Sequence, residues 1–109
     1  MRGSQDLRKG ENEARSRLVN EGIVETDAIL EASPLEVFCE CTRDDCTTFI
    51  TLSRGAYERV RQVSTHFVVA PDHLDPEVET LVEEQPGYSV IRKREGEAAE
   101  VARATDPRR

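Results

Sequence analysis

The chain has no tryptophan, one methionine, three phenylalanines and two tyrosines among its 109 residues. So little aromatic bulk gives a thin apolar core, and a chain this short needs a further staple to offset its conformational entropy. No run approaches the roughly 20 apolar residues of a membrane span, and no charged segment followed by an apolar stretch marks a secretory signal. A cytoplasmic protein with no membrane partner is expected. Cysteines number only three, too few and of the wrong parity for a disulfide framework. Cys39 and Cys41 stand one residue apart, which suits a reducing compartment and a metal.

Basic charge is the other scarcity. The net charge is −7, and it is uneven: residues 1–33 carry −2, residues 34–91 carry −7 and residues 92–109 carry +2. An acidic middle repels phosphate backbones, so nucleic acid is a poor partner for it. Arg92-Lys93-Arg94 reads as a solvated exit from a strand rather than a nucleic-acid patch.

Three segments emerge: a helical arm over 1–33, an α+β core over 34–91 and a charged tail over 92–109. In the arm, Leu7, Ala14, Leu18 and Val19 form a narrow apolar stripe at helical spacing, with Gly22 as the stop and Thr26-Asp27 capping a second turn through Leu30. This helix is expected to lie against the core or to dock on a partner through Leu18, Val19 and Ile23. After Ser33-Pro34, Leu35, Val37 and Cys39 alternate with polar or outward positions, predicting a strand. Residues Thr47 to Leu52 read as its hairpin partner.

Ser53 suits the N-cap of a helix from Arg54 to Gln62, and His66 to Ala70 reads as a strand closed by Pro71. Asp75-Pro76 resembles an N-cap followed by an N1 proline, predicting a helix with Val78, Leu81 and Val82 on its apolar face. Gln85-Pro86-Gly87 is a turn signal, Tyr88 to Ile91 a last strand and Glu97 to Thr105 a helix, with a frayed end from Asp106. The expected fold is a small α+β domain: a short antiparallel sheet, two or three flanking helices, and a zinc site at a hairpin tip.

That site is carried by Cys39, Cys41 and Cys46, spaced Cys-x-Cys-x4-Cys, with a histidine downstream. Thiolate and imidazole are borderline-soft donors, and three thiolates with one imidazole is a usual structural zinc set. A blander alternative makes the cysteines buried small hydrophobes, but Glu40, Arg43, Asp44 and Asp45 set them in a polar turn. His73, aimed by Pro71, is favoured as the fourth ligand over His66 at the start of a strand. Asp72 and Asp45 are weaker choices.

The residues Phe38-Cys39-Glu40-Cys41 with Cys46, Phe67-Val68-Val69-Ala70-Pro71 with His73, Pro76-Glu77-Val78-Glu79 and Glu97-Ala98-Ala99-Glu100-Val101-Ala102 resemble a family of small uncharacterised actinobacterial proteins. Asn12-Glu13-Ala14-Arg15 extends the likeness, which runs from about Glu11 to Pro107. The resemblance implies Cys39, Cys41, Cys46 and His73 as a matched set, leaves out His66, and brings no reaction with it.

The leading expectation is a non-enzymatic, zinc-stabilised module that binds a protein partner. One alternative is a small zinc enzyme with Glu40 or Asp72 as its base, although HExxH, a nucleophile elbow and a Gly-rich phosphate loop are all missing. The other is a thiol redox switch, with Cys46 the better disulfide partner because neighbouring Cys39 and Cys41 would close a strained ring.

Overall fold

The computed structural model describes residues 2–26, 34–43 and 45–108. Three helices and two small antiparallel sheets form an α+β domain. In chain order they are α1 (Arg2–Thr26), β1 (Leu35–Phe38), β2 (Phe49–Leu52), α2 (Arg54–Arg61), β3 (His66–Val69), β4 (Glu79–Gln85), β5 (Tyr88–Lys93) and α3 (Glu97–Ala104). The Thr26-Asp27 cap and the turn through Leu30 lie outside the described residues.

β1 and β2 pair as a hairpin, Leu35 opposite Leu52 and Phe38 opposite Phe49. Alternate residues Leu35, Val37, Ile50 and Leu52 are buried, which is the period-2 pattern of a sheet wet on one face. The second sheet has the order β3-β5-β4. The two sheets meet where the Glu40 N–H donates to the Val68 carbonyl at 2.8 Å. Helix α2 starts as its sequence demands, with Ser53 Oγ accepting from the Ala56 N–H at 3.1 Å.

Residues 79–85 form a strand, which corrects the expected helix. Asp75 does open a single turn, accepting from the N–H groups of Val78 and Glu79. The turn stops there because the following residues find a strand partner in Tyr88–Lys93 across a two-residue loop. Pro86 and Gly87 make that loop, and Gly87 takes φ +87°, where a side chain would be strained.

Helix α1 is the larger surprise. Leu7, Leu18 and Val19 face outward, Leu18 62% exposed, while Asn12, Glu13, Arg17 and Asn20 are buried against the sheets. Glu13, Arg17 and Asn20 recur every three or four residues, as a core stripe does. Val24 alone supplies a buried large hydrophobe among the described side chains of α1. Gly10 lets α1 approach α3 closely, since a Cβ there would sit 2.9 Å from the Ala98 Cα.

Arg17 ties the layers together. Its guanidinium donates to the Ser64 carbonyl at 2.6 Å and the Ala102 carbonyl at 2.7 Å, and lies over the Phe67 ring. Nor is Lys93 part of a solvated exit. It is buried, with Nζ 2.6 Å from Glu13 and 3.0 Å from Glu79. The end of the chain is anchored too. Asp106 accepts from Arg61 at 2.6 Å and Ser64 at 2.7 Å, and Arg108 pairs with Glu21 at 2.7 Å and with Glu58. Fraying was expected because the segment is charged, but Asp106 and Arg108 each have buried or half-buried counterparts.

Candidate metal centre

Cys39 follows β1 directly, Cys41 stands two residues on, and Cys46 lies shortly before β2. The cysteines therefore flank the connection of the first hairpin. His73 reaches them from the other sheet. Its N–H bonds the Ala70 carbonyl at 3.0 Å, closing a turn with Pro71 second and Asp72 third at φ +67°. This is the pattern of a type II turn, with proline fixing φ at the second position and an Asp tolerating the left-handed one.

The four ligand atoms lie within 4.8 Å of one another. His73 Nδ1 is 3.4 Å from Cys39 Sγ and 3.6 Å from Cys46 Sγ. Bonds of about 2.3 Å to sulfur and about 2.0 Å to nitrogen give tetrahedral edges of roughly 3.5–3.8 Å, which the two imidazole–sulfur separations match. Cys39 and Cys41 are buried, while Cys46 and His73 are half-buried. The cluster takes His73 and not His66, which lies beside Arg92 in the second sheet and lines a different pocket. Asp45 and Asp72 are exposed and stand outside the cluster.

The two buried thiols differ in acidity. Contact with Cys39, helped by the Arg43 N–H, His73 and Cys46, pulls the Cys41 thiol down against its burial. The same contact, together with burial, pushes the Cys39 thiol up. Cys39 Sγ accepts the Ala70 N–H at 3.1 Å. A bound cation would stabilise the thiolates.

Glu40 lies between two ligands, yet strand alternation sends it the other way. It is buried, and its carboxylate accepts from Asn20 Nδ2 at 2.8 Å, the Tyr57 hydroxyl at 2.9 Å and the Val68 N–H at 3.0 Å. Burial holds its pKa above the ordinary carboxylate range despite those donors. It is a structural bracket rather than a base facing the metal site. The sequence offered Glu40 as a neighbour of the cysteines and, with Asp72, as a candidate base. The alternation Cys-Glu-Cys was the available signal that it would face away.

Helix α1 fixes the ligand loop at two points. Asn20 bonds Phe38, and Asn12 Nδ2 donates to the Thr42 carbonyl at 2.9 Å. Thr42 in turn donates to Asp75 at 3.0 Å, which Lys9 meets at 2.8 Å. Asn20 was not picked out from the sequence, and Asn12 only within a resemblance and without a role, because a polar residue on a helix ordinarily faces water.

No protein-family model, curated protein or solved structure matches the chain. Among the described residues no helix is long and apolar enough to cross a membrane. The class that the site defines is a protein with a Cys3His cluster able to hold a metal ion.

Proposed function

We propose that this chain is a non-enzymatic, zinc-stabilised module of the reducing cytoplasm that acts by binding another protein. The observation that carries the metal half is the convergence of three sulfurs and one imidazole nitrogen within 4.8 Å. Zinc is favoured because it accepts this borderline-soft set in tetrahedral geometry without a redox change. Its role would be structural. Apparent zinc-binding free energies of about 10–16 kcal/mol in small zinc domains equal or exceed the about 5–15 kcal/mol that stabilises a typical fold.

Four protein ligands fill a tetrahedral ion and leave no position for substrate, which supports binding over catalysis. Glu40 has its oxygens engaged by Asn20, Tyr57 and Val68, which further disfavours the zinc-enzyme reading. The redox-switch reading draws on one observation, the half-buried position of Cys46 beside buried Cys39 and Cys41. Mild peroxide separates the two. A structural site releases zinc slowly and without reversal, whereas a switch releases it quickly and recovers it on reduction.

The interaction half rests on the acidic field and on the apolar side chains left outside the core, Leu18, Val19, Phe49, Leu81 and Val82 among them. A basic protein surface is the partner that suits them. Native mass spectrometry of protein purified without chelator tests the metal half: one zinc per chain is expected, and a metal-free chain that still melts cooperatively would overturn it.

A further inference from the structure

We propose that the free edge of β4, with the pocket between β4 and α2, receives an extended segment of a partner protein carrying one large apolar side chain flanked by lysine or arginine. This rests on the interaction reading above and assigns it a surface.

The strand order β3-β5-β4 leaves the outer side of β4 without a strand neighbour among the described residues. Strand addition at such an edge offers main-chain hydrogen bonds for affinity and pockets for alternate side chains. Register places the pocket. Val90 stands opposite both Val68 and Glu83, so these three share the face that α2 packs against. Helix α2 sits over the β3 side and leaves the β4 side of that face open. A pocket of about 200 Å³ results, walled by Val60, Val63, His66, Val82, Tyr88 and Val90.

Volume decides what fits. Small-molecule sites span about 300–1,000 Å³, so this pocket is undersized for a cofactor and suits a single anchoring side chain. Its rim is already apolar, with Val63 41% and Val82 47% exposed. The pairing of β4 with β5 slips between Leu81 and Glu83, so Val82 is the extra residue of a bulge. Leu81, opposite Ile91, is exposed on the other face of the same edge. A strand laid against β4 would therefore cover an apolar residue on each face.

Charge chooses the occupant. Glu83 and Glu84 are exposed on β4, and the whole chain carries −7. Carboxylates on an edge strand repel a second copy of the same edge, and they attract a strand with basic residues. Arg59 lines the pocket from α2 and Glu83 from β4, so the partner's basic residues belong on the β4 side, by Glu83 and Glu84.

The test is a phage-displayed library of random peptides panned on the zinc-loaded protein, followed by titration of an enriched peptide into isotope-labelled protein. Enriched peptides should place leucine or an aromatic between lysines or arginines and shift the amide signals of residues 79–85 and 56–63. Glu83→Lys combined with Glu84→Lys should weaken binding about tenfold while zinc content and melting stay as in the parent. A footprint on α1 or the metal loop, or affinity indifferent to that charge reversal, overturns this surface and leaves the interaction reading standing. Self-association through residues 79–85 overturns it in favour of a second copy. Failure to enrich any peptide overturns both.

Discussion

Asn20 and Phe38 face each other as residues of two paired strands do: the Asn20 side-chain amide donates to the Phe38 carbonyl at 2.9 Å, and its oxygen accepts from the Phe38 N–H at 2.8 Å. The same amide nitrogen reaches Glu40 at 2.8 Å. A helix side chain thus completes the outer edge of β1 immediately before the first ligand. Orienting contacts behind a ligand segment matter nearly as much as the ligands.

Asn20→Ala leaves two partly buried backbone groups without this partner and removes one donor from Glu40. The expected loss is about 3 kcal/mol, read as a lower midpoint in urea denaturation of the zinc-loaded protein. A change below about 1 kcal/mol would show that α1 does not hold this segment.

The ligand variants separate the two histidines. Cys39→Ser, Cys41→Ser, Cys46→Ser and His73→Ala should each lose metal and cooperative melting, because removal of one ligand withdraws folding free energy. His66→Ala should keep both. The reverse behaviour of the histidine variants would contradict the geometry around His73 Nδ1.

Much of this site was legible in the sequence, and the reason is physical. Ligation demands particular atoms, so Cys39, Cys41, Cys46 and His73 declare themselves by type, and Pro71 marks the turn that aims the imidazole. The polar interior of α1 was not legible. Glu13, Arg17 and Asn20 lie at helical spacing, but that pattern ordinarily faces water, and the partners that make burial tolerable lie far along the chain. Leu18 misled for the same reason, since nothing local tells which side the core will take. The strand at 79–85 was hidden by Asp75-Pro76, a genuine turn start whose continuation is decided by pairing with Tyr88–Lys93.

Arg17 offers a direct check of that interior. Arg17→Met keeps much of the apolar stem but drops the bonds to Ser64 and Ala102. A destabilisation of about 2–4 kcal/mol is expected, with faster amide exchange at residues 98–104 as α3 loosens. Unchanged protection in α3 would contradict the role of Arg17 as a tie.

Glu13 gives the pH prediction. Burial is the first cause holding its carboxyl well above the ordinary range, and the facing Glu79 adds to it against the pull of Lys93. An acid whose folded pKa is raised supports the fold most when protonated, so its contribution falls as pH rises from the ordinary glutamate value toward the raised one. Glu13→Gln mimics the protonated form. Relative to the parent, it should gain up to about 1.4 kcal/mol per pH unit across that window in urea titrations of the zinc-loaded proteins. Parallel curves for the two proteins would mean that Glu13 is charged throughout.

X-ray absorption at the zinc edge tests the central claim most directly. The account predicts one zinc per chain with three sulfurs at about 2.3 Å and one nitrogen at about 2.0 Å, the zinc signal itself lost in His73→Ala and the nitrogen shell persisting in His66→Ala. A shell made of oxygen and nitrogen alone, or a nitrogen lost only with His66, would contradict it.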